Sequence, residues 1–442
     1  CLGNAIVNAG FCLFSGRFLT ASHSGQATRA LILATLVFAI NFSVWTLYAV
    51  MSVELKQVLE LSSTQVGILL SAPIITGALL RLPAGLLCER YSPKMILILQ
   101  MLITVPPLVL LPSIDSFSGY VIVGLLIGIS GVSFSIGIRY LTDWFDSKEQ
   151  GTAMGVFGAG NAGAALSLII VPYIRDVWSW NTIGPTYSAM VLITCFAFWL
   201  AAPSPPKFKQ QNKQKPLAFF IKPLAHARVW RFGLYYYFVF GSFLALLLWL
   251  PQYYVNAFAL PFNQAMALTL LFVISSSMAR AAGGWFADRF GARNVNWGVF
   301  WICLVCLFFL SYPPTTMTIH GVDRDVELYI ELNVWVFTIL LLLIGLAQGF
   351  GRASVYKIIN DYYPEQMGSV GGMVAMLGAL GGCTLPILFG LAVDIAGVYS
   401  ACFMLLYGVL AVCMLLMHLA IKRERYRSRV LDAQQHNFLE QD

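Results

Sequence analysis

Two arginines stand where an apolar chain should not carry charge. Arg81 lies inside SAPIITGALLRLPAGLL, and about two hundred residues later Arg280 lies inside SSSMARAAGGWF. Each sits four residues before a glycine, Gly85 or Gly284, and eight before an acid, Glu89 or Asp288. Eight residues of helix rise about 12 Å, so neither arginine belongs to the polar turn that follows it. One arginine near a helix end can snorkel to the interface, but two in matching positions point to a shared central location. Charge inside a bilayer costs at least ~2.5–3.5 kcal/mol, so it normally faces a partner or a cavity. The acids of the apolar segments, Glu54, Glu89, Asp143, Asp288, Asp361 and Asp394, all fall near segment ends. Two guanidinium forks without a carboxylate can bind a small planar oxyanion through paired N–H donors, a geometry that lysine lacks.

The elements that position these groups are membrane spans. The chain is 59% hydrophobic and 11% charged, against about 25% charged in soluble domains. Twelve apolar runs long enough to cross a bilayer fall at about 31–53, 65–87, 95–112, 118–141, 152–174, 183–201, 232–255, 265–287, 295–312, 332–357, 369–391 and 398–420. The expected class is an all-α membrane protein. Residues 1–30 read as a cytoplasmic leader, 31–202 as one six-helix half, 203–231 as a basic cytoplasmic linker, 232–420 as the second half and 421–442 as a tail.

The linker carries Lys207, Lys209, Lys213, Lys215, Lys222, Arg228 and Arg231 with no acid, and the tail reads KRERYRSR. Alternate breaks hold only Lys56, Arg175 and Arg324, which places both termini in the cytoplasm. This asymmetry accounts for the net charge of +7 and argues against a nucleic-acid partner. Nine cysteines without CxxC spacing read as buried apolar residues, so no metal site or disulfide framework is expected. No G-x-x-x-x-G-K-[ST] loop occurs, and the five histidines lie in loops, tails or the end of the last span. An ATP-driven pump and an enzyme are therefore disfavoured, and no cofactor is expected.

The halves repeat one another. Arg81, Gly85, Glu89, Arg90 and Lys94 align at a constant offset with Arg280, Gly284, Asp288, Arg289 and Arg293. Gly128, Gly151 and Gly155 align with Gly345, Gly368 and Gly372, and GAGNAG at 158–163 faces GALGG at 378–382. Parallel repeats of this kind build many transporters. The glycines suit close helix packing, but Asn161 does not follow from packing; a buried amide needs a partner, either a neighbouring helix or a ligand oxygen.

GLLCERYSPK at 85–94 and GWFADRFGAR at 284–293 resemble the loop motif of the major facilitator superfamily, once per half, with Glu89 and Ser92 departing from its pattern. The resemblance implies a gating latch at Glu89, Arg90, Asp288 and Arg289. GVSFSIGIRYLTDWF followed by GTAMGVFGAGNAGAA, and GGMVAMLGALGGCTLP at 371–386, resemble the two signatures of the nitrate/nitrite porter family, with the likeness spanning residues near 30–422. The family implies that Arg81 and Arg280 clamp the anion and that Asn161 helps hold it. Tyr236, Phe240 and Phe134 match its pocket aromatics, and Gly158 and Gly372 of the glycine-rich runs join the substrate-contacting set. In the tenth span the family's G-x-G-N-G run is GFGRASVYK here, with Arg352 in the asparagine's place. Arg352 and Lys357 could add to an anion pathway or line the cytoplasmic vestibule.

These observations imply a monomeric secondary carrier in a bacterial inner membrane, moving nitrate or nitrite by alternating access. The absence of a deep carboxylate favours nitrate/nitrite exchange, with proton-coupled uptake as the other coupling. Arg352 motivates an alternative substrate, an organic carboxylate, and a non-transporting anion sensor is the remaining reading.

Overall fold

The computed structural model describes residues 25–145, 150–204, 222–320, 325–363 and 367–439. Among them are twelve helices long and apolar enough to cross a membrane. In chain order these are α1 Gly25–Val58, α2 Ser63–Gly85, α3 Pro93–Ser113, α4 Phe117–Thr142, α5 Ala153–Val177 and α6 Trp180–Ala201. The second half supplies α7 Ala227–Phe258, α8 Phe262–Phe290, α9 Ala292–Leu310, α10 Val334–Tyr362, α11 Val370–Ala396 and α12 Ala401–Arg423.

Burial sorts the helices into centre and periphery. The apolar window of α7 is 89% buried and that of α1 72%, whereas those of α9 and α12 are 39% and 28% buried. Peripheral faces expose Ile193, Trp199, Phe308 and Leu415, the side chains a bilayer solvates without cost. The halves meet along three helix pairs, α2 with α11, α5 with α8 and α1 with α7. Small residues permit these close approaches. A Cβ on Gly67 of α2 would lie 2.9 Å from Ile387 Cα of α11, and Ser71 donates to the Cys383 carbonyl at 2.5 Å across the same seam.

At the face opposite the basic linker, polar contacts clasp the halves together. Helix α2 starts with a capping box between Ser62 and Gln65. The Asp394 carboxylate at the end of α11 then accepts from Ser63 N at 3.1 Å, Thr64 N at 2.8 Å and Thr64 Oγ1 at 2.6 Å. An anion on the unpaired N–H groups of a helix start satisfies donors that have no partner within the helix. Asn263 of α8 donates to Asp176 at 3.0 Å, and Arg175 pairs with Glu54 at 3.3 Å while lying 4.5 Å over the Phe262 ring.

Three features differ from the sequence expectation. The helix of the first span begins at Gly25, inside the segment read as a leader, and the last helix runs unbroken to Leu439 through the segment read as a tail. No proline interrupts KRERYRSRVLDAQQHNF, and its residues are mostly good helix formers. Between α9 and α10 an exposed antiparallel hairpin pairs β1 Thr315–His320 with β2 Asp325–Ile330. TTMTIH and DVELYI are rich in β-branched residues, and outside the bilayer a strand pair can leave its outer edges to water.

Candidate functional site

Helical irregularity marks the middle of the molecule. GISGV at 128–132 in α4 and AGNAG at 159–163 in α5 tighten into 3-10 turns, and YFVFGS at 237–242 in α7 loosens into a π-helical turn. These segments carry or adjoin Phe134, Asn161 and Phe240. Glycine makes the tightening in α5 possible, because Gly160 packs on the Phe38 ring and Gly163 packs on the backbone of Ala39. Short π segments inside α-helices are frequent at functional sites.

The three segments surround a tightly closed central cavity lined by Phe38, Arg81, Phe134, Asn161, Tyr236, Phe240 and Arg280. Six of the seven stand out in the sequence or through the family resemblance. Arg81 is 5% exposed, and its Nη1 donates to the Ala375 carbonyl at 3.1 Å. Its Nε has no acceptor, and neither has the Nδ2 of Asn161, which is 1% exposed. Burying such donors without acceptors costs about 1–3 kcal/mol each, more for the charged one. These donors are open to a group that supplies acceptors.

Aromatic rings form the remaining wall. The Arg81 guanidinium carbon lies 5.2 Å from the Trp45 ring centroid, 5.5 Å from Phe134 and 5.9 Å from Phe240, and that of Arg280 lies 6.0 Å from Phe134. Both cations thus lie within cation–π reach of Phe134. Cation–π contacts stabilise each guanidinium while leaving its in-plane N–H groups free to donate. Phe134 stacks on Phe157 at 5.7 Å, and Tyr236 stacks on Phe240 at 5.2 Å. Seven lining residues therefore present two positive charges, an amide, a phenol and three phenylalanines, with no carboxylate.

Phe38 and Trp45 are not legible in the sequence, since an aromatic residue in an apolar span looks like any other core residue. In the structure Trp45 packs on Gly77 and Gly131, and Phe38 on Gly160.

Gly158 abuts the site from α5: a Cβ there would lie 3.1 Å from both Cζ and Nη2 of Arg280. Because the neighbour is the end of a side chain, Gly158→Ala should leave folding intact and push the guanidinium out of line. The expected result is an anion affinity about tenfold weaker, the order of one charged hydrogen bond, at an unchanged melting temperature in titration calorimetry and thermal unfolding.

Other expected positions lie elsewhere. Gly372 is exposed, and a Cβ added to it would meet no atom within 4 Å, so it does not contact the cavity; α11 reaches the site through the Ala375 carbonyl instead. Arg352 is fully buried outside the lining set, donating from Nη2 to the Ser276 carbonyl at 2.8 Å and Oγ at 2.7 Å, with its Cζ 4.0 Å over Phe243. It ties α10 to α8 and α7 and does not line the vestibule, because its span rotates it into the helix seam. Lys357, with a partly exposed side chain, pairs with Asp288 at 3.2 Å and Asp361 at 3.5 Å. Asp288 of the second loop motif thereby joins α8 to α10. Arg289 lies over its own helix's Trp285 at 5.3 Å. The side chains of Glu89 and Arg90 lie outside the described residues.

A family model described as Major Facilitator Superfamily matches residues 31–322 and 328–439. The chain belongs to the major facilitator superfamily. Within it, the chain is 37% identical over 406 residues to the probable nitrate/nitrite antiporter NarK1 of Thermus thermophilus, covering 89% of this chain and 91% of that protein. It is 26% identical over 383 residues to the nitrite extrusion protein of Bacillus subtilis (strain 168), covering 86% and 91%. These relatives place it in the nitrate/nitrite porter family. Among solved structures, a bacterial homolog of the human lysosomal transporter Spinster, in an inward-facing and occupied conformation, superposes with a TM-score of 0.71 at 13% identity, covering 91% of this chain and 98% of that one. The porter is thus an integral membrane transporter of the major facilitator fold.

Proposed function

We propose that this porter carries nitrate and nitrite across the membrane, holding the anion between Arg81 and Arg280 and exchanging one anion for the other. The observation that carries the reading is the charge of the central cavity, two arginines and no carboxylate at the seam between the halves. Its relatives named as nitrate/nitrite carriers support the same substrate.

The mechanism follows from electrostatics. Arg81 belongs to the first half and Arg280 to the second, so closing the halves brings like charges together in a medium of low dielectric. A planar oxyanion accepts N–H groups from both forks and cancels that repulsion, while the Asn161 amide supplies a further donor. Phe134, Tyr236 and Phe240 exclude water and limit size. With its anion bound, the carrier can rock between faces; empty, it resists closure. Return with a second anion is therefore faster than return unloaded, which makes exchange the favoured coupling over proton-driven uptake.

An organic carboxylate substrate is motivated by Arg352 alone, whose Nη2 is engaged by Ser276 and whose guanidinium lies over Phe243, although its Nη1 has no acceptor; these contacts support the smaller inorganic anion over the carboxylate. In this reading the protein works as a monomer in a bacterial plasma membrane, performs no chemical conversion, needs no cofactor, and keeps both termini and the 203–231 linker in the cytoplasm. Glu89, Arg90, Asp288 and Arg289 serve as the gating latch of the loop motif. The test is competition in purified carrier: labelled nitrate should be displaced by nitrite at comparable concentration, and by acetate or succinate only at concentrations at least tenfold higher. Stronger displacement by a carboxylate would overturn the substrate assignment.

A further inference from the structure

We infer that the porter has a second anion site, at the linker-face end of its C-terminal half, that takes the phosphate group of an acidic phospholipid or of free phosphate. A recess opens where four spans end on that face: the starts of α7 and α9, the end of α10 and the end of α12. It shares no lining residue with the central cavity, although its Tyr235 directly precedes Tyr236 of that cavity on α7.

Its polar wall is basic. Arg231 of α7 and Arg293 of α9 line it together with Tyr235 and Tyr362. Tyr362 gathers guanidinium groups: that of Arg228 lies 4.7 Å over its ring, that of Arg293 lies 5.8 Å away, and Arg293 donates to its hydroxyl. Among the described residues, no Asp or Glu lines it. Two donors aim at nothing: the Nε of Arg231 is shielded from solvent without an acceptor, and the hydroxyl of Tyr235, a residue 2% exposed, has no partner. A tetrahedral phosphate offers acceptor oxygens in several directions, which suits a fork from one helix and a hydroxyl one turn along it.

The opposite wall is apolar, with Ile358 of α10 and Met417 and Ile421 of α12. Helix α12 is the least buried of the spans, and Trp230 beside Arg231 is 51% exposed. Tryptophan at a span end sits at headgroup depth. Basic pockets between span ends on the cytoplasmic side recognise lipid headgroups, and an apolar wall beside the phosphate position suits the glycerol and first acyl carbons.

The test uses the full-length carrier in neutral detergent at constant ionic strength, with thermal unfolding and native mass spectrometry as readouts. Phosphatidylglycerol, but not phosphatidylcholine, should raise the melting temperature and appear as a bound adduct. Arg231→Gln and Tyr235→Phe should each weaken that binding about tenfold while nitrate affinity stays unchanged. Tyr235→Phe keeps the ring, so it decides the matter if Arg231→Gln fails to fold. Inorganic phosphate that reproduces the shift and displaces the lipid would make soluble phosphate the ligand of the same site. No response to either, or equal responses in wild type and both variants, would overturn the inference.

Discussion

Arg81→Ala and Arg280→Ala should each abolish transport and weaken nitrate binding by about 10²-fold or more, while the carrier still folds. Each substitution removes one of the two cationic forks of the central cavity. A hydrogen bond to a charged group contributes about 1.5–3 kcal/mol, and a fork offers two. The loss is not offset by relief of burial, because the anion then keeps one unpartnered side in an apolar cavity. Arg81→Lys should recover little, since an ammonium cannot form the paired contact and does not reach the Ala375 carbonyl in the same plane. Folding survives because Arg81 holds the Ala375 carbonyl from Nη1 and otherwise lies among the rings of Trp45, Phe134 and Phe240, which can relax into an alanine's space. Titration of purified variants with nitrate, with size-exclusion profiles as the folding check, measures both effects. Near-wild-type affinity in either alanine variant would contradict the clamp.

Gly163→Ala should be the most damaging glycine-to-alanine change among the described residues. A Cβ there would lie 2.6 Å from the carbonyl carbon and 2.7 Å from the Cα of Ala39 in α1, and closer still to its oxygen. These are backbone atoms, so no rotamer change makes room; α1 and α5 must separate. Overpacking typically costs 1–3 kcal/mol where side chains can adjust, and roughly that or more is expected where they cannot. The same shift would move Asn161, two residues earlier in the 3-10 turn, out of the cavity. Thermal unfolding should fall markedly and nitrate binding should be lost with it. Gly155→Ala is the control, since nothing lies within 4 Å of its Cβ position, and it should melt as wild type does. Equal melting of the two variants would show that the close approach is not what holds the turn.

The contrast between what the sequence discloses and what it hides has a physical basis. Arg81, Arg280 and Asn161 stand out because polar groups at mid-span are costly and so must have a use. Tyr236, Phe240 and Phe134 are visible only through family resemblance, and Phe38 and Trp45 not at all, since aromatic residues are unremarkable in apolar spans. The position of Arg352 depends on the rotation of α10 about its axis. Span length and hydropathy do not encode that rotation; packing against α7 and α8 sets it, and it turns the guanidinium onto Ser276 and Phe243. Lys357 is similar, a cation whose role rests on Asp288, sixty-nine positions earlier. The twelve spans themselves are legible because length and apolarity are fixed by the bilayer, whereas the hairpin at 315–330 lies outside that constraint.

Counterflow in proteoliposomes tests the exchange mechanism most directly. Vesicles loaded with nitrite should take up labelled external nitrate, and vesicles loaded with an inert anion and given only a pH gradient should not. Nitrate uptake driven by the pH gradient, with no dependence on internal nitrite, would contradict exchange through a cavity that holds two arginines and no carboxylate.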